Sequence, residues 1–394
     1  MKDLGKKIDV LARDILPDLI QLRRHLHAHP ELSGQEYQTA ALVAGELRKA
    51  GWEVKEAVGK TGVVAELGSN SGPIVGLRVD MDALPIEEKT GLDYSSSTQG
   101  LMHACGHDLH TCIGLGVAKV LAKNEFTNSR VRIIFQPAEE IAQGAKWMKA
   151  ENVLEGLQGL FGVHVYPDLP VGKIGIRSGT FTAAAGELEI DIIGNGGHGA
   201  RPHEGVDSIW ISAKVISGLQ EAISRRLDAL KPVVISFGKI SGGSAFNVIA
   251  DSVKLLGTVR CLDTNLYEKL PLWIEKIVKN IASTYGAQAH VNFKSIAPPV
   301  YNDPKLTNLL SNCAKNFMEE KDIVYLENPS LGAEDFAFLL QDVRGTMFRL
   351  GVAGDKGCAP LHSGYFSLDE RSLGLGIKIL SQSIVLSTQP SQYT

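Results

Sequence analysis

Val131-Arg132-Ile133-Ile134-Phe135-Gln136-Pro137-Ala138-Glu139-Glu140 is a short apolar, β-branched run that a proline stops and two adjacent carboxylates follow. Such a run reads as a buried strand, and proline ends it because a central strand needs every backbone N–H. The carboxylates therefore stand just past a strand end, where α/β proteins keep their functional loops. Leu160-Phe161-Gly162-Val163-His164-Val165 repeats the strand pattern with an imidazole inside it. Met347-Phe348-Arg349-Leu350-Gly351 repeats it again, ahead of a Gly- and Pro-rich loop that delivers Pro360-Leu361-His362-Ser363-Gly364. Upstream, 63–67 and 74–80 read as further strands, and 9–27, 37–50 and 111–123 as helices. That alternation predicts an α/β fold with a mostly parallel, doubly wound sheet.

The order then changes. From 187–194 the chain reads strand, helix (208–227), strand (233–240), strand (252–260), helix (266–285) and strand (288–295). This βαββαβ order is the ferredoxin-like pattern, and Pro298-Pro299 marks a return to the first body. The expected organisation is a first domain in two segments, 1–180 and 297–394, interrupted by an inserted α+β domain at 181–296. His362 then comes from the far side of the insertion.

The densest chemistry lies in His103-Ala104-Cys105-Gly106-His107-Asp108-Leu109-His110. Cys105 and His107 lie two apart, so an extended backbone would point both to one face. Thiolate and neutral imidazole suit borderline-soft divalent ions. Two ligands do not close a site, so the others must come from elsewhere. Glu139 and Glu140, read alone, fit either a solvated acidic turn or a metal ligand beside a base. His164, read alone, fits a satisfied core histidine.

With 394 residues, 44% hydrophobic content and a formal net charge of −4, the chain has the composition of an ordinary globular protein of two domains. It has no basic tract, which argues against nucleic acid. Residues 1–20 mix charged and apolar positions at helical spacing, so neither a signal peptide nor a membrane span is expected. The five cysteines, Cys105, Cys112, Cys261, Cys313 and Cys358, are scattered and form no disulfide framework, which fits a cytoplasmic protein.

The ordered set Val79-Asp80-Met81-Asp82-Ala83-Leu84-Pro85, His103 to His110, Gln136 to Glu140, Gly162-Val163-His164, Gly196-Gly197-His198-Gly199-Ala200-Arg201-Pro202-His203 and Leu361-His362-Ser363 resembles the M20 metallopeptidase family. More narrowly, it is similar to the amidohydrolase branch with hippurate hydrolase, bacterial N-acyl-amino-acid amidohydrolases, N-acetyldiaminopimelate deacetylase and plant auxin-conjugate hydrolases. The resemblance runs nearly end to end. It implies two divalent ions (zinc, manganese, cobalt or nickel) held by Cys105, His107, Glu140, His164 and His362, with Glu139 as general base and Asp82 as a supporting acid. Where the wider family commonly has a histidine ligand, this chain has Asp80, which leaves the ligand role of Asp80 and the bridging group open. The inserted domain would serve as a dimerisation and lid domain. From it His198 would reach the partner subunit's site as an oxyanion stabiliser, and Asn247 and Arg260 would contact substrate.

Several features have plainer readings. Gly194-Asn195-Gly196-Gly197-His198-Gly199 matches Gly-x-Gly-x-x-Gly, but a dinucleotide loop opens into a helix and here Pro202 follows. His25, His27 and His29 suit a helix C-terminus, Gly332-Ala333-Glu334-Asp335-Phe336 resembles a family motif close to the site although Glu334 and Asp335 equally suit a helix cap, and Arg260 suits a surface ion pair. The expected reaction is metal-dependent hydrolysis of an N-acyl-L-amino acid. The alternatives are a dipeptidase or aminopeptidase of the same scaffold, or a metal-binding sensor. A serine hydrolase is disfavoured because no Gly-x-Ser-x-Gly elbow occurs.

Overall fold

The computed structural model describes residues 2–68, 73–123 and 129–388; Met1 and 389–394, at the outer ends of the first domain as read from sequence, lie outside them. The chain divides into two compact units, Met1–Gly179 with Tyr301–Asn328 and Asp335–Thr394, and Thr180–Val300 with Pro329–Glu334. Pro329–Glu334 groups with the second unit because Ser330 bridges Thr182 and accepts the Ala183 N–H at 2.8 Å.

The first unit is built on an eight-stranded sheet. Its order is Glu53–Val58, Gly62–Gly68, Arg130–Gln136, Ile74–Asp80, Leu157–Pro170, Gly345–Ala353, Ile174–Ile176, Ile323–Tyr325. The four central strands, from Arg130–Gln136 to Gly345–Ala353, pair in parallel. The sheet as a whole is mixed, with four of its seven strand pairs among the described residues parallel. Glu53–Val58 and Gly62–Gly68 run antiparallel because Gly59 and Lys60, both at positive φ, join them in a tight hairpin. Gly62–Gly68 and Arg130–Gln136 are also antiparallel, as are Gly345–Ala353 and Ile174–Ile176.

Two helices of this unit, His107–Ala122 and Ser372–Ser387, are buried on nearly every side. Their all-round apolar sequences leave no polar face for water. Lys2–Ala28 is amphipathic and buries only Ile8, Ala12, Ile15, Leu19 and their neighbours along one stripe. The core formed with strand residues such as Val75, Leu77, Val79, Ile133, Phe135, Phe161 and Phe348 holds the strand ends that carry the chemistry.

The second unit is a four-stranded antiparallel sheet ordered Val233–Gly242, Ser252–Cys261, Ala184–Ile193, Gln288–Ala297. With helices Ser208–Arg226 and Thr264–Thr284 its element order is βαββαβ. Asp207 and Asp263 cap the helices by accepting N–H groups of Ile209, Trp210 and Leu266. Leu188, Ile190, Ile192, Val215, Leu219, Leu255, Ile274 and Val278 form its separate core. Among the described residues, no helix is long and apolar enough to cross a membrane.

Candidate metal centre

Cys105 and His107 do not share a strand. His107 is the first residue of helix His107–Ala122, and Gly106 precedes it in the left-handed region at φ 79°. A Cβ at Gly106 would lie 2.8 Å from Val165 Cγ2 and would be strained at that φ, so only glycine fits. The glycine turns the chain so that the thiol ahead of the helix and the imidazole opening it converge. The helix therefore starts four residues before the expected 111, because the left-handed glycine sets its N-terminus.

His107 Nδ1 donates towards the Asp82 carbonyl at 3.0 Å and Asp82 Oδ1 at 3.2 Å, which leaves the Nε2 lone pair free. That Nε2 is buried with no hydrogen-bond partner, as is Glu140 Oε1, and the two lie 3.8 Å apart. His164 uses Nδ1 to donate to the Val165 carbonyl at 2.8 Å and turns Nε2 to Cys105 Sγ at 3.5 Å. Burial holds the His164 ring neutral, with its pKa well below the usual range. Burial, together with Glu140, pushes the Cys105 thiol well above its usual range.

His362 arrives on its loop at φ 63°, its N–H bound to the Ala104 carbonyl at 2.9 Å and Nε2 3.4 Å from Glu140 Oε2. A non-glycine residue in that conformation costs about 1–2 kcal/mol. Its hydrogen bond to Glu140 raises its pKa. The ligand atoms of Cys105, His107 and His164 lie within 4.8 Å of one another, as do those of Cys105, Glu140 and His362, and those of His107, Glu139 and Glu140. Two orphaned buried polar atoms, a thiol too buried to ionise alone and a neutral imidazole fit a divalent cation.

The supports are carboxylates. Asp82 Oδ2 accepts from Ser33 Oγ at 2.6 Å and from the Glu140 N–H at 3.0 Å, so one side chain orients both His107 and Glu140. Asp80 has both oxygens engaged: Oδ1 accepts His110 Nδ1 at 2.6 Å and Oδ2 accepts Arg78 at 2.8 Å. His110 Nε2 in turn accepts the Val165 N–H at 2.9 Å, beside His164. Burial disfavours the Asp80 charge, but His107, His110 and Arg78 hold its pKa well below the carboxylate range.

Glu139 and Glu140 lie in a turn rather than on extended backbone. Ala138, at φ 52°, opens it, and its N–H is held by the buried carboxylate of Glu36 at 2.8 Å. Glu139 Oε1 accepts the Asp335 N–H at 3.3 Å. Asp335 does not cap the short helix Phe336–Leu339 with its side chain. Its carboxylate instead accepts Arg78 at 2.8 Å, Gln136 at 2.7 Å and the Ala145 N–H at 3.1 Å. Glu36 escaped sequence reading, because only its long-range partners give it a role, and Asp335, flagged in sequence, takes its role from the same kind of partners.

The histidines of 25–29 join no metal-type group among the described residues. On the second unit, His198 is exposed, pairs with Val248 across a two-residue ladder and accepts the Ala200 N–H at Nδ1 (3.1 Å). The Gly-rich segment before it enters this ladder and a 3-10 turn at Pro202–Glu204, not a helix, as the proline predicts. The Asn247 carbonyl accepts the Gly199 N–H at 2.8 Å. Arg260 donates to the carbonyls of Leu331 (3.1 Å) and Val259 (3.0 Å), not to an ion-pair partner among the described residues.

Residues 76–385 match the model of peptidase family M20/M25/M40. A probable hydrolase of Synechocystis sp. is 52% identical, the match covering 94% of this chain and 96% of that one. N-acetyl-L-cysteine deacetylase of Bacillus subtilis is 38% identical over 90% of this chain and 84% of its own. The crystal structure of Bacillus subtilis YxeP, a dinuclear metal binding peptidase from the M20 family, superposes with a TM-score of 0.84 at 35% identity, covering 95% of this chain and 99% of that one. The ordered ligand-type residues, the match over most of the chain and these relatives converge: the chain belongs to peptidase family M20/M25/M40 and is a hydrolase.

Proposed function

We propose that this chain is a metal-dependent amidohydrolase that splits N-acyl-L-amino acids into a carboxylic acid and an amino acid. The observation that carries the reading is the pair of buried, unpartnered atoms, His107 Nε2 and Glu140 Oε1, facing each other beside Cys105, His164 and His362. Those five residues would hold two divalent ions, with Cys105 common to two of the groups. When bound, such ions supply Lewis acidity to the amide carbonyl and make a water acidic near neutral pH.

Glu139 is the general base. Its carboxylate neighbours His107 and Glu140 without being needed to complete either Cys105 group, and it is oriented by the Asp335 N–H. It removes a proton from the attacking water and returns it to the leaving amine. Asp82 fixes the His107 tautomer and the Glu140 backbone together. Asp80, saturated by Arg78 and His110, serves as a support rather than a ligand. The order of strands in the second unit supports its reading as a ferredoxin-like insert, and the family resemblance is what suggests a homodimer formed through it. His198, as an oxyanion stabiliser for the partner subunit, and Asn247 and Arg260, as substrate contacts, follow from their motifs. The deacetylase relative acts, by its name, on an N-acyl amino acid, which supports that substrate class.

The test is metal content measured with hydrolysis of N-acetyl-, N-benzoyl- and indoleacetyl-amino acids and of dipeptides, before and after chelation and with zinc, manganese, cobalt or nickel restored. Acyl-amino-acid hydrolysis that vanishes with the metal and returns with it is the expected result. Chelator-resistant turnover, or turnover of dipeptides alone, refutes the proposal.

A further inference from the structure

Next to the metal-type cluster lies a second buried polar group centred on His27, in the last turn of helix Lys2–Ala28. Its Nδ1 is 2.8 Å from Asp108 Oδ2 and its Nε2 is 3.2 Å from Glu88 Oε1. The carboxylate oxygens only accept, so each of these bonds is one the ring donates, while Arg23 Nη2, itself a donor, also stands 3.2 Å from Nδ1. Arg23, from the same helix, pairs its charge with the same Asp108 oxygen, Nε lying 2.8 Å away, and reaches Glu370 at 3.4 Å. The Tyr94 and His103 rings complete the surroundings at 5.7 and 6.5 Å.

The two carboxylates connect to two different ligand-type residues. Asp108 follows His107 directly at the helix start. Glu88 precedes Lys89, whose N–H donates to the Gly364 carbonyl at 2.7 Å, two residues past His362. Glu88 is also the inward anchor of the segment 84–102, where its carboxylate accepts from Thr90 Oγ1 and from the Ser96 N–H at 2.6 Å. Leu84 and Met102 close that segment through paired N–H to carbonyl bonds of 3.0 Å each. His362 is half-exposed on a backbone in the left-handed region, so its position depends on such anchors more than that of helix-borne His107 does.

We propose that His27 is a positioning residue that couples the His107 side of the centre to the His362 side, so that cutting its bridge loosens the hold on the metal. The inference rests on the metal-centre reading above. The link runs His107–Asp108–His27–Glu88–Lys89–Gly364–His362; His27→Gln removes the ring that bonds both carboxylates, and Glu88→Gln turns its charge-assisted bond to the ring into a weaker neutral one.

The experiment loads the full chain with zinc and follows transfer to excess fluorescent chelator, at a temperature where circular dichroism shows every variant folded. Glu88→Gln and His27→Gln are expected to speed release about tenfold each, the lower end of the effect of removing outer partners of metal ligands. The double variant should release zinc no faster than either single one, because both cut the same link. Arg24→Ala, which removes a half-exposed neighbour outside the bridge, should match the parent. Release within twofold of the parent in folded Glu88→Gln overturns the coupling, as does an additive double variant; if His27→Gln does not fold, Glu88→Gln decides alone. A parent chain that takes up neither zinc nor manganese overturns the metal centre itself and the coupling with it.

Discussion

Replacing Glu139 by glutamine separates proton transfer from architecture at this site. Glutamine keeps the volume and keeps an oxygen able to accept the Asp335 N–H now 3.3 Å from Oε1. It removes the basic lone pair together with the carboxylate's charge. Cys105, His107, His164, Glu140 and His362 retain their partners, since Asp82 and Ala104, not Glu139, anchor His107, Glu140 and His362. Metal stoichiometry should therefore stay at the parent value. Turnover should fall by about a hundredfold to ten-thousandfold, the usual span for a general acid-base group. At about 1.36 kcal/mol per tenfold, this raises the barrier by about 2.7–5.4 kcal/mol. The loss should appear in kcat with KM little changed, because the interaction acts on the transition state. Initial rates on an N-acetyl-amino acid, with bound metal counted in the same samples, provide the assay. A metal-replete Glu139→Gln chain turning over within about threefold of the parent would refute the base assignment.

Arg78→Met should destabilise the first unit by about 3–5 kcal/mol, since it leaves the fully buried Asp80 and Asp335 carboxylates without their shared cation. Urea denaturation reads this directly, and a loss below about 1 kcal/mol would contradict the network. Glu88 also predicts a pH dependence: burial works against its charge, but His27, Thr90 and the Ser96 N–H outweigh it and draw its pKa down to about 2. A carboxylate depressed in the folded state stabilises it above the unfolded value and loses that stabilisation as pH falls towards the folded one. Glu88→Gln should accordingly lose less stability than the parent between about pH 4.5 and 2, and parallel urea midpoints across that window would rule this out.

Periodicity made the central strands legible because they are buried on both faces and read as continuous apolar runs. Ile74–Asp80 and Arg130–Gln136 show this most plainly. It could not tell that Glu53–Val58 would fold back as a hairpin, because strand direction is set by partners rather than by composition. Of the ligand-type residues, Cys105 and His107 were legible from their chemistry and spacing, whereas Glu140, His164 and His362 joined them only through the family resemblance. Apart from Asp82, which the resemblance already named, their supports had no assigned role. Glu36, Asp335 and His27 are ordinary polar residues in sequence, and each acquires its role from a partner more than eighty positions away.

By itself, then, the sequence determined the α/β class of the first unit, the βαββαβ order of the second and the set of donor side chains. The first two depend on local pattern, and the donor set is what the family resemblance implies. Only the tertiary structure decided that Gly106 turns Cys105 and His107 together, that Asp80 is saturated by Arg78 and His110, and that His27 stands between Asp108 and Glu88. Those facts turn on distances across the fold. A buried charge is settled by whichever partners the packing of distant segments brings within hydrogen-bond reach.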